Sequence, residues 1–224
     1  TKQTKKEFPD GIPAFGADAL RFTFCAQANT GRNINFDMGR IEGSRNFCNK
    51  LWNAARFVLQ NTEQFTIQDN HTLAPTLADR WIVSKLQTVI TETCRHFDQF
   101  RFDLAAQSLY DFFWNEYCDW YVELAKVTLY DDNTDEGTRY STQFTLLSVL
   151  NQCLIMLHPM MPFITEEIWQ VVKPKLGLIK ESIMISAYPE SNQQLIDLDA
   201  NKHISWLKDI VTTIRSIRAS VNIS

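Results

Sequence analysis

The sequence predicts an all-α helical bundle, and three observations predict it. Seven glycines and seven prolines are few for 224 residues, so long stretches run without a breaker. Within those stretches apolar residues recur at spacings of three and four, the period of an amphipathic helix. Hydrophobic residues make up 45% of the chain and include 15 Phe, 6 Trp and 6 Tyr, enough bulk for a substantial core.

Taken in order, Ala14 to Ala28 reads as the first helix, stopped by a turn at Asn29-Thr30-Gly31-Arg32-Asn33. Asp37 is a good N-cap for the second, which runs to about Asn61 with Gly43 inside it. The third spans about Leu77 to Phe97, its apolar set being Trp81, Ile82, Leu86, Val89, Ile90, Cys94 and Phe97. The fourth runs from about Asp103 to Tyr130 and ends at the acidic turn 131–137. The fifth covers Thr138 to about Leu157. A short sixth opens near Pro162 and stops at Lys173-Pro174, because proline disfavours helix in the residue before it. Ile183 to Ala187 reads as an extended connector with weak strand character, and a last amphipathic helix covers about Leu198 to Val221. Short turns between helices imply antiparallel neighbours.

Composition excludes several classes of function. No stretch is long and apolar enough to span a membrane, and the first seven residues lack the apolar segment of a signal peptide. The five cysteines are odd in number and never form a C-x-x-C pair, so neither a disulfide framework nor a zinc site is expected. They read as small buried hydrophobes of a reducing cytoplasm. There is no G-x-x-x-x-G-K-[ST], G-x-G-x-x-G, G-x-S-x-G or E-x-x-H, so no catalytic, cofactor or metal site is expected. His158 before Pro159 reads as a helix-terminal residue, and Glu116, Asp119 and Glu123 as a solvated face.

The net charge is −4, but it is unevenly spread. Residues 1–60 carry nine basic and five acidic side chains, a local excess of +4. The last stretch turns basic again with Lys202, Lys208, Arg215 and Arg218. A polyanion would have to meet a local patch near the two ends.

The second helix holds the informative face. At about 100° per residue, Ala54, Phe47, Val58, Leu51, Ala55, Cys48, Leu59 and Trp52 fill one arc, expected to be the core side. The complementary arc holds Arg45, Arg56, Asn49, Gln60, Asn53, Asn46, Phe57 and Lys50, with no acid among them. An aromatic amid amides and cations is the chemistry of unstacked-base recognition: the ring stacks, amides read base edges and cations hold phosphates. The other reading of Phe57 is that a neighbouring helix covers it. On the fourth helix Phe113, Trp114, Tyr117, Trp120, Tyr121 and Leu124 share an arc that reads as core.

Asp18-Ala19-Leu20-Arg21 resembles the DALR motif that opens the anticodon-binding helical domain of class I aminoacyl-tRNA synthetases. The segments 30–37 and 45–57, His158-Pro159-Met160-Met161-Pro162-Phe163 with the following Ile164 to Trp169, and Ile214-Arg215-Ser216-Ile217-Arg218 resemble the bacterial valyl branch of that family. The resemblance covers essentially the whole chain. It implies a bundle of the class I anticodon-binding type at 14–180, a linker from the catalytic core at 1–13, and a connector and helix at 181–224 leading to a coiled-coil arm. The HIGH and KMSKS signatures, the Rossmann core and the editing domain would lie before Thr1. It further implies that the intact enzyme uses ATP and Mg2+ to join valine to tRNA(Val), whereas this piece holds no cofactor and would be inactive alone. Lys50, Arg56 and Phe57 match family positions implicated in anticodon contact; Asn46, Asn49, Asn53 and Arg45 share their face. The expected partners are tRNA(Val) and the catalytic core of the same chain, in the cytoplasm, with neither DNA nor membrane. An isoleucyl enzyme and a helical protein-interaction module without an RNA role are the alternatives.

Overall fold

Helix-start chemistry places most of the elements. In the computed structural model, which describes residues 13–29, 37–68 and 72–221 together with Lys6, Phe8, Pro9, Gly11 and Ile34, α1 is Ala17–Gln27 and α2 is Met38–Asn61. The Asp37 carboxylate accepts from the Gly39 N–H (2.9 Å) and opens α2. A reciprocal capping box between Thr76 and Asp79 opens α3, Leu77–Asp98. A continuous helical run follows: α4 at Phe102–Asp111, a π-helical segment at Phe112–Tyr121 and α5 at Val122–Tyr130. Asp135 caps α6, Glu136–Leu157, through the Thr138 N–H; Pro162 sits in the first turn of α7, Pro162–Val172; Asp197 caps α8, Leu198–Ser220. The described residues contain no strand. The expected turn at 30–33 and most of the expected 1–13 linker lie outside the described residues.

The core is built around α6. Leu146, Leu147, Leu150, Leu154 and Leu157 are fully buried, so this helix is apolar on nearly every side, as a central helix must be. α2, α3, α5 and α7 pack around it. The aromatic arc of the fourth predicted helix is indeed core: Phe113, Tyr117 and Tyr121 are fully buried, their rings succeeding one another at 5.4 and 5.8 Å. Burying such a side chain contributes roughly 1.5–3 kcal/mol. The two phenols are not left unpaired. Tyr117 donates to the Leu146 carbonyl (2.8 Å), and Tyr121 to the Asp79 carboxylate (2.7 Å). Burial pushes both phenols well above their ordinary pKa. Asp79, 1% exposed, also accepts from the Thr142 hydroxyl and from the Thr76 N–H and hydroxyl.

The strand character expected at Ile183 to Ala187 is not observed. Ile183–Ile185 forms a 3-10 turn because Ser182 Oγ accepts from the Met184 N–H (3.1 Å), while Glu166 accepts from Ser182 Oγ and the Ile183 N–H. With no neighbouring strand to pair with, the backbone satisfies itself locally. The connector then leads to α8, which docks on α3 through buried Ala200 and Ile204 and through Ser84, whose hydroxyl oxygen accepts from the Asp197 N–H (2.9 Å). Lys208 of α8 pairs with Glu116 (2.7 Å) and lies over the rings of Trp81 and Trp120.

Candidate nucleic-acid interface

From Gly43 to Thr62 the chain contains no acidic residue, and α2 carries this stretch through the bundle with one side buried. Phe47, Leu51 and Val58 are completely enclosed and Ala54 and Ala55 nearly so. Phe47 anchors the helix among the rings of Phe22 (5.0 Å), Tyr110 (4.9 Å) and Phe113 (6.0 Å). Arg45, Asn46, Asn49, Asn53, Arg56 and Gln60 are exposed, as expected from the periodicity. Neither Arg45 nor Arg56 forms an ion pair among the described residues. The exposed arc spans about 120° and centres near Asn49.

At the two edges of this arc the structure corrects the sequence reading. Trp52, expected in the core, is 45% exposed. Phe57, expected on the solvent side, is half-buried, packs against the core and lies beneath Lys126 Nζ (5.4 Å from the ring centroid). Lys50 is half-buried too: its ammonium pairs with Asp119 at 2.7 Å and sits 5.1 Å from the Trp114 ring. The cause is the same for both. The run 112–130 lies along the Lys50–Phe57 edge of α2 and covers it. The wheel alone divides apolar from polar residues but cannot say which boundary a neighbour will overlap. Trp52 was the residue missed. Its position about 20° from Arg45, at the margin of the apolar arc, was the available signal.

The acids that read as a solvated face are all engaged. Asp119 pairs with Lys50, Glu116 with Lys208 and Glu123 with Lys126, each at 2.7 Å. No His/Cys/Asp/Glu group suited to a metal ion occurs among the described residues. The five cysteines are free thiols, and burial raises the pKa of each; Cys48, with Asp18 also nearby, is pushed up to about 11 and Cys118 to about 12. Such thiols are poor nucleophiles.

The two motifs at the ends of the bundle serve the fold. The Asp18 carboxylate, 7% exposed, accepts from the N–H groups of Phe163 (3.3 Å) and Ile164 (2.6 Å) and so caps α7 from α1. Arg21 donates to the Pro159 carbonyl (3.0 Å). His158 Nδ1 lies 2.8 Å from Thr165 Oγ1, whose own proton goes to the Met161 carbonyl, so the imidazole is the donor. Burial lowers its pKa, against the pull of Glu166 and Asp18. The D-A-L-R and H-P-x-x-P-F segments, 138 residues apart between Arg21 and Pro159, are thus halves of one clamp.

Residues 79–224 match the family model described as the anticodon-binding domain of tRNA ligase. The chain belongs to that family. Its similarity extends over nearly its entire length to valine–tRNA ligases: 53% identity to that of Coxiella burnetii, covering 100% of this chain, and 50% to that of Francisella tularensis, covering 99%. The valine–tRNA ligase of Legionella pneumophila strain Lens is 49% identical over 100% of this chain. The chain spans 24% of the length of each of these relatives. Among solved structures, the LeuRS of Agrobacterium radiobacter K84, crystallised as a ternary complex with tRNA and LeuAMS, superposes with a TM-score of 0.59 over 88% of this chain and 21% of its own, at 18% identity. That likeness bears out the helical bundle. No helix among the described residues of this anticodon-binding domain is long and apolar enough to cross a membrane.

Proposed function

We propose that the chain is the anticodon-binding part of a valine–tRNA ligase and that the exposed face of α2 receives the anticodon stem-loop of tRNA(Val). The observation that carries this reading is the exposed surface of Arg45, Asn46, Asn49, Asn53 and Arg56, which lies in a stretch without an acid from Gly43 to Thr62 and whose arginines form no ion pair among the described residues, on a helix whose other side is locked into the core. Guanidinium groups without internal partners suit phosphates, and amides suit the edges of unstacked bases. Lys50 and Phe57 flank this face. A phosphate could draw Lys50 away from Asp119, and a base reaching Phe57 would have to displace Lys126. Similarity to valine–tRNA ligases supports valine over isoleucine.

The longer protein would act in the cytoplasm, activating valine with ATP and Mg2+ and esterifying tRNA(Val). On this reading ATP and Mg2+ are held outside this chain. Its contribution is recognition, beside a catalytic core elsewhere in the same chain.

A titration of the chain with tRNA(Val) and tRNA(Ile) over a range of salt concentrations tests the proposal. The expected result is preference for tRNA(Val), with affinity falling steeply as salt rises. Asn49→Glu and the pair Arg45→Glu with Arg56→Glu should weaken binding at least tenfold at low salt while leaving the melting temperature nearly unchanged. Salt-independent binding, or full affinity in the charge-reversed variants, would move the RNA off α2.

A further inference from the structure

In the middle of the 24-residue α2 the Trp52 indole is 45% exposed, at the margin between the buried and the solvent side of the helix. Trp52, like Trp206 of α8, makes no hydrogen bond and no ring or cation contact among the described residues, whereas Trp81, Trp114, Trp120 and Trp169 each meet a cation, another ring or both; Trp52 differs from Trp206 in lying beside arginines and amides of α2. Its surroundings are specific. Arg56 lies one turn ahead at i+4, Asn49 one turn behind at i−3, and Arg45 two turns behind at i−7, all exposed. Trp52 therefore sits at the rim of the exposed arc, adjoining two arginines without acidic partners among the described residues.

From this juxtaposition we infer that Trp52 is a stacking platform for an unpaired base of the bound RNA, with Arg45 and Arg56 holding the flanking phosphates. The inference rests on the RNA-binding reading of α2. A single exposed ring, bordered on its solvent side by cations and amides and on its inner side by the half-buried Cys48 and Leu59, has the chemistry of a base site more than that of a protein-docking patch, whose anchors sit in an apolar centre. It also supplies the freely accessible aromatic that Phe57, half-buried under Lys126, does not.

The test uses the chain with a fluorescein-labelled anticodon stem-loop RNA of tRNA(Val). Trp52→Leu keeps apolar bulk and helix propensity but removes the ring, and should weaken binding about 5- to 150-fold, the equivalent of roughly 1–3 kcal/mol of stacking. Trp52→Phe should keep most of the affinity while losing part of the RNA-induced quenching of tryptophan fluorescence. Melting temperatures of both should stay close to that of the parent. If Trp52→Leu binds within twofold of the parent while Arg56→Glu loses affinity, the RNA face stands and the stacking role is overturned; a protein surface would then be the occupant of Trp52. If Arg56→Glu and Trp52→Leu are both without effect, the RNA reading itself fails and takes the stacking role with it.

Discussion

Two adjacent helical surfaces of this bundle treat their charges in opposite ways. Along 112–130, Glu116, Asp119 and Glu123 are each matched by a lysine, from α8, α2 and α5 respectively. Along α2, neither Arg45 nor Arg56 forms an ion pair among the described residues. The first surface has closed its electrostatics inside the fold, and two of its ion pairs tie it to α2 and α8. The second leaves its charge free for something outside. Lys50 stands at the border, drawn from the open surface into the closed one by Asp119. An exposed charge is therefore informative chiefly when the fold has declined to pair it.

The strongest way to break this contrast is from beneath. Phe47→Ala removes the ring that fixes the inner side of α2 and should cost about 3–5 kcal/mol of folding stability, read from denaturant midpoints. Affinity for tRNA(Val) per folded molecule should hold. A variant that folds normally yet loses RNA would show that the inner side also shapes the face.

Phe57→Ala comes next. Because its ring is half-buried against the core, the loss should be about 1–3 kcal/mol, smaller than at Phe47, and Lys126→Ala should add less in that background than in the parent. An unchanged melting temperature for Phe57→Ala would return the ring to the solvent side. The smallest effect sharpens the border. Asp119→Asn releases Lys50 to the open surface, so affinity for tRNA(Val) at low salt should rise about two- to threefold, with a stability change of at most about 1 kcal/mol. A fall in affinity would mean that Asp119 holds Lys50 in the geometry RNA needs.

Most of the architecture was legible because it is set locally. Asp37, Asp135 and Pro162 mark helix starts by chemistry confined to one turn, and the apolar period of α2 placed Phe47, Leu51, Ala54 and Val58 inward. What failed depended on distant partners. Whether Trp52 or Phe57 reaches solvent is decided by where the 112–130 run lies, and no residue near α2 in sequence encodes that. The π-helical ladder at Phe112–Tyr121 has the same origin in part: its tyrosines reach Asp79 of α3 and the Leu146 carbonyl of α6, and apolar spacing does not tell an i→i+5 ladder from an i→i+4 one. The segment at 183–187 looked extended by composition, yet the oxygens of Ser182 and Glu166 fold its start into a turn. Of the candidate interface, the exposed centre was readable and its two edges were not.

The clamp between Asp18, Arg21 and the start of α7 has a consequence for how the molecule breathes. The amide protons of Phe163 and Ile164 are held by a side chain from the other end of the sequence, so they exchange with solvent only when α1 lifts away. Their hydrogen-exchange rates are thus a direct gauge of that opening. A chain trimmed before residue 28 should lose protection at these two sites first, while amides in the middle of α6 keep the slow exchange of the global unfolding unit. The latch between the two ends of the bundle is the Asp18 carboxylate, with the Arg21 guanidinium beside it.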